Sequence, residues 1–452
     1  MSKPIKIKRG LNIPLKGSAE KVLVRLDKAE TYGVKPTDFP GLVPKLNVAV
    51  GDKVRAGSPL FHDKYRPNIV FSSPVSGEVV DVRRGERRVI LEVVVKADSG
   101  EVAYEDFGPA SPETLTRDEV IAKLLKAGAW PYIRQRPFGI IANPADSPKS
   151  IFISGFDTSP LAPDLDFVVQ GEEESFQAGV DAIRKLTTGK VHLGLSSDFP
   201  PAKAFANAKG VEFHYFTGPH PTGNVGVQIH HIDPINKGEV VWVVNPLDVI
   251  IIGRLFLKGI YDATKVIALA GSEVVKPRYY KLISGASIES IIKDNINTQG
   301  QVRIISGNVL TGTRVDKLGY LGFYDNMVTV IPEGNKYEFF GWIAPGVNKH
   351  SASSTFLSKL IPGKRFTLDT NMHGGHRAMV VTGQYEKVMP MDIYPMHLVK
   401  AILANDIDRM EQLGIYEVVE EDMALCEYVC PSKTEVQAIL RKGIETMIKE
   451  LS

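Results

Sequence analysis

At 452 residues, with 43% apolar and 23% charged side chains, the chain has apolar material for about three or four packed domains and is neither fibrous nor disordered in composition. Its 54 basic and 52 acidic residues nearly cancel, which removes the basic excess that nucleic-acid binders concentrate on one face. Two cysteines argue against a disulfide framework and fit a reducing compartment.

The opening MSKPIKIKRG has basic residues but no apolar core, so no signal peptide is expected. From Gly41 to Ala97 the pattern is short strands broken by turn residues such as Gly51-Asp52 and Gly57-Ser58. The spacing GDxVxxGxxL followed by PVSGEV resembles a lipoyl/biotinyl-type barrel. Carrier domains of that type hold their cofactor on a lysine at a hairpin tip. Here the tip falls at Arg66-Pro67, with Lys64 out of register and a proline stiffening the turn, so a barrel that carries nothing is expected. Arg83-Arg84-Gly85-Glu86-Arg87-Arg88 reads as a solvated hairpin tip.

Thr116 and Glu119 have capping-box spacing before the apolar stripe Val120, Ile121, Leu124 and Leu125, and Gly128 closes the helix. Strands and helices then alternate. IFISGF, DFVVQG, VHLGL, VEFHYF and VVWVV read as strands, and residues 174–187 as a helix. That order, with strands too apolar for a half-exposed sheet, predicts an α/β layer on a largely parallel sheet. The apolar stretch 240–257 is interrupted by Asn245, Pro246, Asp248 and Arg254, so it reads as strand and helix rather than a membrane span. KVIALAG, KPRYYKLISGASIESII and QVRIISGNVLTGTRV suggest a small β-grasp module. Residues 331–375, rich in Gly, Pro, Asn and Ser, suggest a connector. After Pro431, Ser432 and Glu435 suggest a second capping box ahead of the stripe Val436, Ile439, Leu440, Ile444 and Met447.

The ordered string GPHPTGNVGVQIHHIDPINKGEVVWVVNPLDVIIIGRLFLKGIYDATKVIALAGSEVVKPRYYKLISGAS (218–287) resembles the A subunit of the sodium-translocating NADH:quinone oxidoreductase. WIAPGVNKHS (342–351), RAMVVTGQYEKVMPMDIYP (377–395) and ALCEYVCPSK (424–433) resemble the same family, so the likeness covers essentially the whole chain. It implies an α+β multidomain protein: an N-terminal region 1–105 with a lipoyl-like barrel at about 38–97, and a Rossmann-like α/β domain at 106–256. A β-grasp domain of the SLBB type follows at 257–330, then the connector 331–375 and a helical domain 376–452. It also implies a peripheral subunit on the cytoplasmic face of a bacterial inner-membrane translocase. That complex oxidises NADH, reduces a ubiquinone-type quinone and exports sodium ions. Flavins, an iron–sulfur centre and NADH are then expected on partner subunits, with no cofactor on this chain, and its own partners are the other subunits of the complex, especially the membrane subunits, with quinone as a possible ligand. The alternative is a stand-alone FMN-dependent NADH dehydrogenase built on the α/β domain.

The α/β and β-grasp order also resembles the flavin subunit of respiratory complex I and the iron–sulfur subunit of a related electron-transport complex. In those relatives bare glycine backbone after a helix meets the FMN phosphate. Here the corresponding loop, residues 127–138, reads AGAWPYIRQRPF, and each proline removes an N–H donor. A lost flavin site is expected. Trp130, Tyr132 and Phe138 are candidates to sandwich a quinone ring, with Arg134 or Arg136 polarising a carbonyl oxygen. The other reading is that these rings fill core. Cys426 and Cys430 sit where iron–sulfur relatives carry a cluster, but two thiolates cannot hold one. His373 and His376 lack a third ligand nearby, and His220 is expected to shape a rigid turn. No catalytic residue and no metal site is assigned.

Overall fold

Short strands separated by tight turns close the N-terminal barrel. In the computed structural model, which describes residues 3–297, 299–335, 338–341 and 343–451, one antiparallel sheet holds Thr31–Val34, Ile90–Ala97, Gly77–Arg84 and Lys53–Val54. A second holds Pro44–Leu46, Pro59–Asp63 and Val70–Ser72. Val79, Val93 and Val95 from the first and Leu60, Phe61 and Phe71 from the second share the buried core. Between Pro59–Asp63 and Val70–Ser72 lies the tip that would bear a carrier lysine. There Arg66 donates from Nε to Asp63 Oδ2 (2.9 Å) and from Nη1 to the carbonyl of Ile141 (3.2 Å). The tip is docked on the neighbouring α/β layer, the opposite of a swinging arm.

The predicted capping box forms. Thr116 N–H donates to Glu119 Oε2 (2.8 Å) and Glu119 N–H to Thr116 Oγ1 (3.4 Å), opening the helix Arg117–Ala127. Gly128 ends it at φ 69°, and a Cβ there would lie 2.2 Å from Ser72 Oγ. Glycine thus serves both the left-handed turn and the close seat of the helix end on the barrel.

The α/β sheet has the spatial order Ile5–Lys6, Glu212–Thr217, Lys190–Ser196, Ser150–Ser154, Val241–Val243, Arg134–Arg136, Ile140–Ile141. The first five strands run parallel, and Arg134–Arg136 pairs antiparallel with both Val241–Val243 and Ile140–Ile141. From Ser150–Ser154 the chain steps outward twice in one direction, then returns to place Val241–Val243 on the other side. Strand order therefore reverses between Ser150–Ser154 and Val241–Val243, the position where open α/β sheets leave a crevice. Period-two alternation splits the residues between faces. Phe152, Val241 and Val243 pack with Val225 and Ile229 of the helix Val225–Ile232, while Ile151, Ile153 and Trp242 join the main core. Helices Glu173–Arg184 and Pro246–Lys258 touch almost backbone to backbone: a Cβ on Gly253 would lie 1.7 Å from the Ser175 carbonyl oxygen.

One strand prediction fails. In DFVVQG the segment Leu165–Val168 is a helical turn, capped by Asp164, whose Oδ1 accepts from Phe167 N–H at 3.0 Å. A short apolar run does not distinguish strand from buried helix by period, and the Asp cap decides it.

The β-grasp sheet orders Thr313–Val315, Val302–Ser306, Met327–Pro332, Thr264–Ala270, Arg278–Ile283 and Glu20–Arg25, with the helix Ile288–Ile292. Ile5–Lys6 and Glu20–Arg25 thus lend edge strands to two sheets outside the barrel. C-terminal helices Gln384–Val388, Pro395–Leu403, Ile407–Gln412, Glu420–Val429 and Val436–Leu451 bury the predicted Val436, Leu440, Ile444 and Met447. Ser432 does not cap the last helix; its hydroxyl donates to the Ala378 carbonyl at 3.0 Å. With that hydroxyl turned to a distant carbonyl, the helix begins four residues on, at Val436. Trp342, the first residue of WIAPGVNKHS, lies outside the described residues. Among the described residues no helix is long and apolar enough to cross a membrane.

Candidate functional site

Loop 127–138 sits where the barrel, the α/β sheet and the C-terminal helices meet, and its side chains part company. Trp130 and Tyr132 lie on a 3-10 turn (Trp130–Tyr132) with Pro131 between them, and both are buried. Trp130 donates from Nε1 to the Ala142 carbonyl (2.8 Å) and meets Trp242 edge-on at 5.5 Å. The Tyr132 hydroxyl pairs with that of Tyr261 at 2.9 Å, and its ring stacks on Phe323 at 4.6 Å. Burial pushes its hydroxyl pKa far up, helped by Tyr261. These two rings face protein on all sides.

Arg136 is also enclosed. Its Nη1 donates to Asp422 Oδ2 at 2.5 Å, and its Nη2 donates to Glu421. Phe138 has φ 82°, meets Tyr416 edge-on at 6.0 Å, and offers its carbonyl to Arg441 Nη1 at 3.0 Å. Both residues tie the loop to the C-terminal helices. Arg134 alone of the five candidates lines a cavity. Its guanidinium lies 4.9 Å above the Tyr324 ring, and the cavity measures about 130 Å³.

That cavity occupies the carboxyl ends of the two strands at the reversal: Ser154 from one, Val243, Val244 and Asn245 from the other. Asn224 and Asn245 stand at the N-caps of Val225–Ile232 and Pro246–Lys258, so two helix N-termini converge on it. The β-grasp module contributes Asn308 and Asn326, and the C-terminal helices contribute Glu421. Two buried atoms around it, Ser159 Oγ and Asn326 Oδ1, have no hydrogen-bond partner, which is uncommon for enclosed polar groups. Burial raises the pKa of Asp157 against the hydrogen bond from Ser159 N–H to its Oδ1 at 2.7 Å. His220 shapes the turn, as its sequence suggested: its N–H donates to Asn12 Oδ1 at 2.8 Å and its Nδ1 lies 3.1 Å from Thr158 Oγ1. Burial alone pulls its pKa down to about 4, leaving the ring neutral. The cavity is smaller than the roughly 300–1,000 Å³ of most ligand clefts and suits a small polar head.

Nothing in the sequence pattern announced this cavity, because its walls come from segments up to 287 residues apart, Arg134 to Glu421. The signal available was the Gly/Pro/His-rich turn beginning at Gly218. Cys426 and Cys430 are free and buried, with Tyr385 donating to Cys430 Sγ at 3.0 Å. Burial pushes the Cys426 thiol well up. At Cys430 burial is outweighed by hydrogen bonds from Tyr385 and Thr434, and its pKa falls.

Three segments of the chain match models of one family. Residues 5–98 match the family model described as the NqrA N-terminal barrel-sandwich hybrid domain, 115–261 the NqrA second alpha/beta domain, and 266–317 the NQRA C-terminal domain. The chain is 39% identical over 450 residues to the A subunit of the Na(+)-translocating NADH-quinone reductase of Neisseria meningitidis (serogroup A), covering 99% of this chain and all of that one. It is 38% identical to the protein of the same name from Photorhabdus laumondii, again over 99% of this chain and all of the relative. Among solved structures, an NAD+-reducing [NiFe]-hydrogenase in the air-oxidized state aligns with 75% of this chain and 62% of its own at 13% identity. The TM-score of that alignment is 0.39. The end-to-end identity places this chain in the NqrA family, the A subunits of the Na(+)-translocating NADH-quinone reductase.

Proposed function

We propose that this chain is the peripheral NqrA component of a membrane complex that oxidises NADH, reduces a ubiquinone-type quinone and moves sodium ions outward across the membrane. The full-length identity to relatives bearing that name carries the reading. The complex, and not this chain by itself, performs the redox chemistry. Flavins, the iron–sulfur centre and the NADH site belong to partner subunits, and this chain faces the cytoplasm. The filled loop 127–138 supports that division of labour. Gly128 is committed to packing on Ser72, and Trp130 and Tyr132 occupy the space beyond it.

Contact with the membrane subunits runs through the connector, which exposes Phe339, Ile343, Leu357 and Leu360. A chain with no spanning helix among its described residues needs such a surface to stay on a membrane complex. Quinone, where it touches this subunit, places its head in the cavity beside Arg134; Trp130, Tyr132, Arg136 and Phe138 hold the loop behind it without lining the cavity.

The test is reconstitution. Membranes holding the other subunits, with and without this chain, are assayed for NADH-driven sodium uptake into vesicles. Restoration only when the chain is present is the expected result. The rival reading, a free-standing FMN-dependent NADH dehydrogenase, draws on the switch-point cavity. It requires stoichiometric flavin absorbance and NADH oxidation by the purified chain alone, and either observation would displace the proposal.

A further inference from the structure

Two parallel strands bring together three metal-ligating side chains that are remote from the cavity. His192 is on Lys190–Ser196, and Glu212 and His214 are on Glu212–Thr217. In register, His192 stands opposite Glu212 and Gly194 opposite His214, so all three side chains rise from one face of the sheet. His192 Nδ1 lies 3.0 Å from His214 Nε2 and 3.6 Å from Glu212 Oε2, and a donor atom from each residue is within 4.8 Å of the other two. His192 is buried, its ring 4.5 Å from Phe152, while Glu212 and His214 are half-buried at the rim.

The cluster lies toward the amino ends of its strands, away from the carboxyl-end cavity. Zinc binds nitrogen and oxygen at about 2.0–2.2 Å, so tetrahedral ligand atoms sit roughly 3.4 Å apart. The observed 3.0 and 3.6 Å bracket that separation.

Protonation suits coordination too. Burial, then His214, draws His192 down to about 4, and burial lowers His214 as well, so both rings are neutral. Glu212 is held as a carboxylate, chiefly by its hydrogen bond from Lys190. Neutral imidazole and carboxylate are the ligating forms. A simple hydrogen-bonded relay would run from the rings to the carboxylate, yet Glu212 Oε2 lies 3.6 Å from His192 Nδ1, beyond hydrogen-bond reach. Lys190 Nζ is 2.9 Å from that oxygen, but its side chain is 69% exposed and free to swing aside.

We propose that His192, Glu212 and His214 form a binding site for a divalent transition-metal ion of the zinc class, with a fourth position open to water. Two imidazoles select against magnesium and calcium, which take oxygen ligands. By joining two strands, the ion stabilises the α/β sheet through mass action.

The experiment titrates zinc chloride into the full-length chain by calorimetry, with His214→Gln and Glu212→Gln beside wild type and magnesium chloride as control. Expected are one zinc per chain, a rise in melting temperature, at least roughly tenfold weaker binding in each variant, and no magnesium binding. Zinc affinity unchanged in both variants, or no zinc binding by wild type, would overturn the site. Cobalt substitution of wild type gives a check independent of variant folding. Nitrogen–oxygen ligation yields weak d–d bands alone, whereas a thiolate charge-transfer band would assign the metal to Cys426 or Cys430 and sink the proposal.

Discussion

The Arg136 guanidinium meets the Asp422 carboxylate at 2.5 Å inside the protein, joining the 127–138 loop to the helix Glu420–Val429. Burial drives the Asp422 pKa up to about 6, with Arg136 pulling against it. Removing the arginine leaves a buried carboxylate without its cation, a change that costs about 3–5 kcal/mol. Arg136→Met is therefore expected to lower the denaturant midpoint strongly and to open the C-terminal helices to limited proteolysis. Arg136→Met combined with Asp422→Leu removes both charges and is expected to recover much of the loss. A single variant as stable as wild type would show that the pair does not hold the helices.

Trp130 and Arg134, four residues apart on one loop, are expected to fail differently. Trp130 is wholly enclosed, so Trp130→Ala opens a core cavity costing about 3–5 kcal/mol. Arg134 points into the cavity and over Tyr324, so Arg134→Ala is expected to leave the melting temperature within a few degrees of wild type. If quinone enters the cavity, the lost charge-assisted hydrogen bond, about 1.5–3 kcal/mol, weakens binding roughly tenfold or more. Calorimetric titration with a short-chain quinone measures this. Equal affinity in wild type and Arg134→Ala would move the quinone contact off this subunit.

Much of the architecture was legible because it rests on local chemistry. The Thr116–Glu119 box, the Gly128 turn and the strand–turn rhythm of the barrel are each set by a few neighbouring residues. The miss at Leu165–Val168 arose because so short a segment, three apolar residues and Asp166, carries too little period, and that at Ser432 because its hydroxyl turns to the distant Ala378 carbonyl. Site chemistry was less legible. Sequence placed Trp130, Tyr132, Arg134, Arg136 and Phe138 on one short loop but not the direction of each side chain. Likewise His192 and His214 are 22 residues apart, and only strand register makes them neighbours.

Acid sensitivity is expected from His220. Its folded pKa of about 4 lies below the usual imidazole value of 6.5, so the unfolded chain takes up its proton first as pH falls. Its contribution to stability is complete above about pH 6.5 and is lost as pH drops through that window toward 4. At about 1.4 kcal/mol per pH unit the contribution reaches on the order of 3 kcal/mol for this one buried ring. His220→Gln is expected to be less stable at neutral pH but to show a shallower fall between pH 6.5 and 4 in chemical denaturation. Identical pH slopes would mean that the ring does not stay neutral in the folded protein.

The connector offers the last test, because it exposes apolar side chains that a free-standing protein has little reason to display. Phe339 is 91% exposed, Leu360 75% and Ile343 69%. Residues 345–358 are nonetheless held by their own bonds: Leu357 N–H donates to the Pro345 carbonyl at 3.0 Å, and the Ser358 hydroxyl to that of Lys349 at 2.6 Å. An ordered loop that presents apolar rings to solvent suits a partner subunit that covers them, since burying each large side chain contributes about 1.5–3 kcal/mol. Phe339→Asp with Leu360→Asp places two charges on that surface without touching the core. The double variant is expected to keep the wild-type melting temperature as an isolated chain, yet to be lost from the membrane complex during affinity purification through a tagged membrane subunit. Full retention of the variant in the complex would place the docking surface elsewhere on the chain.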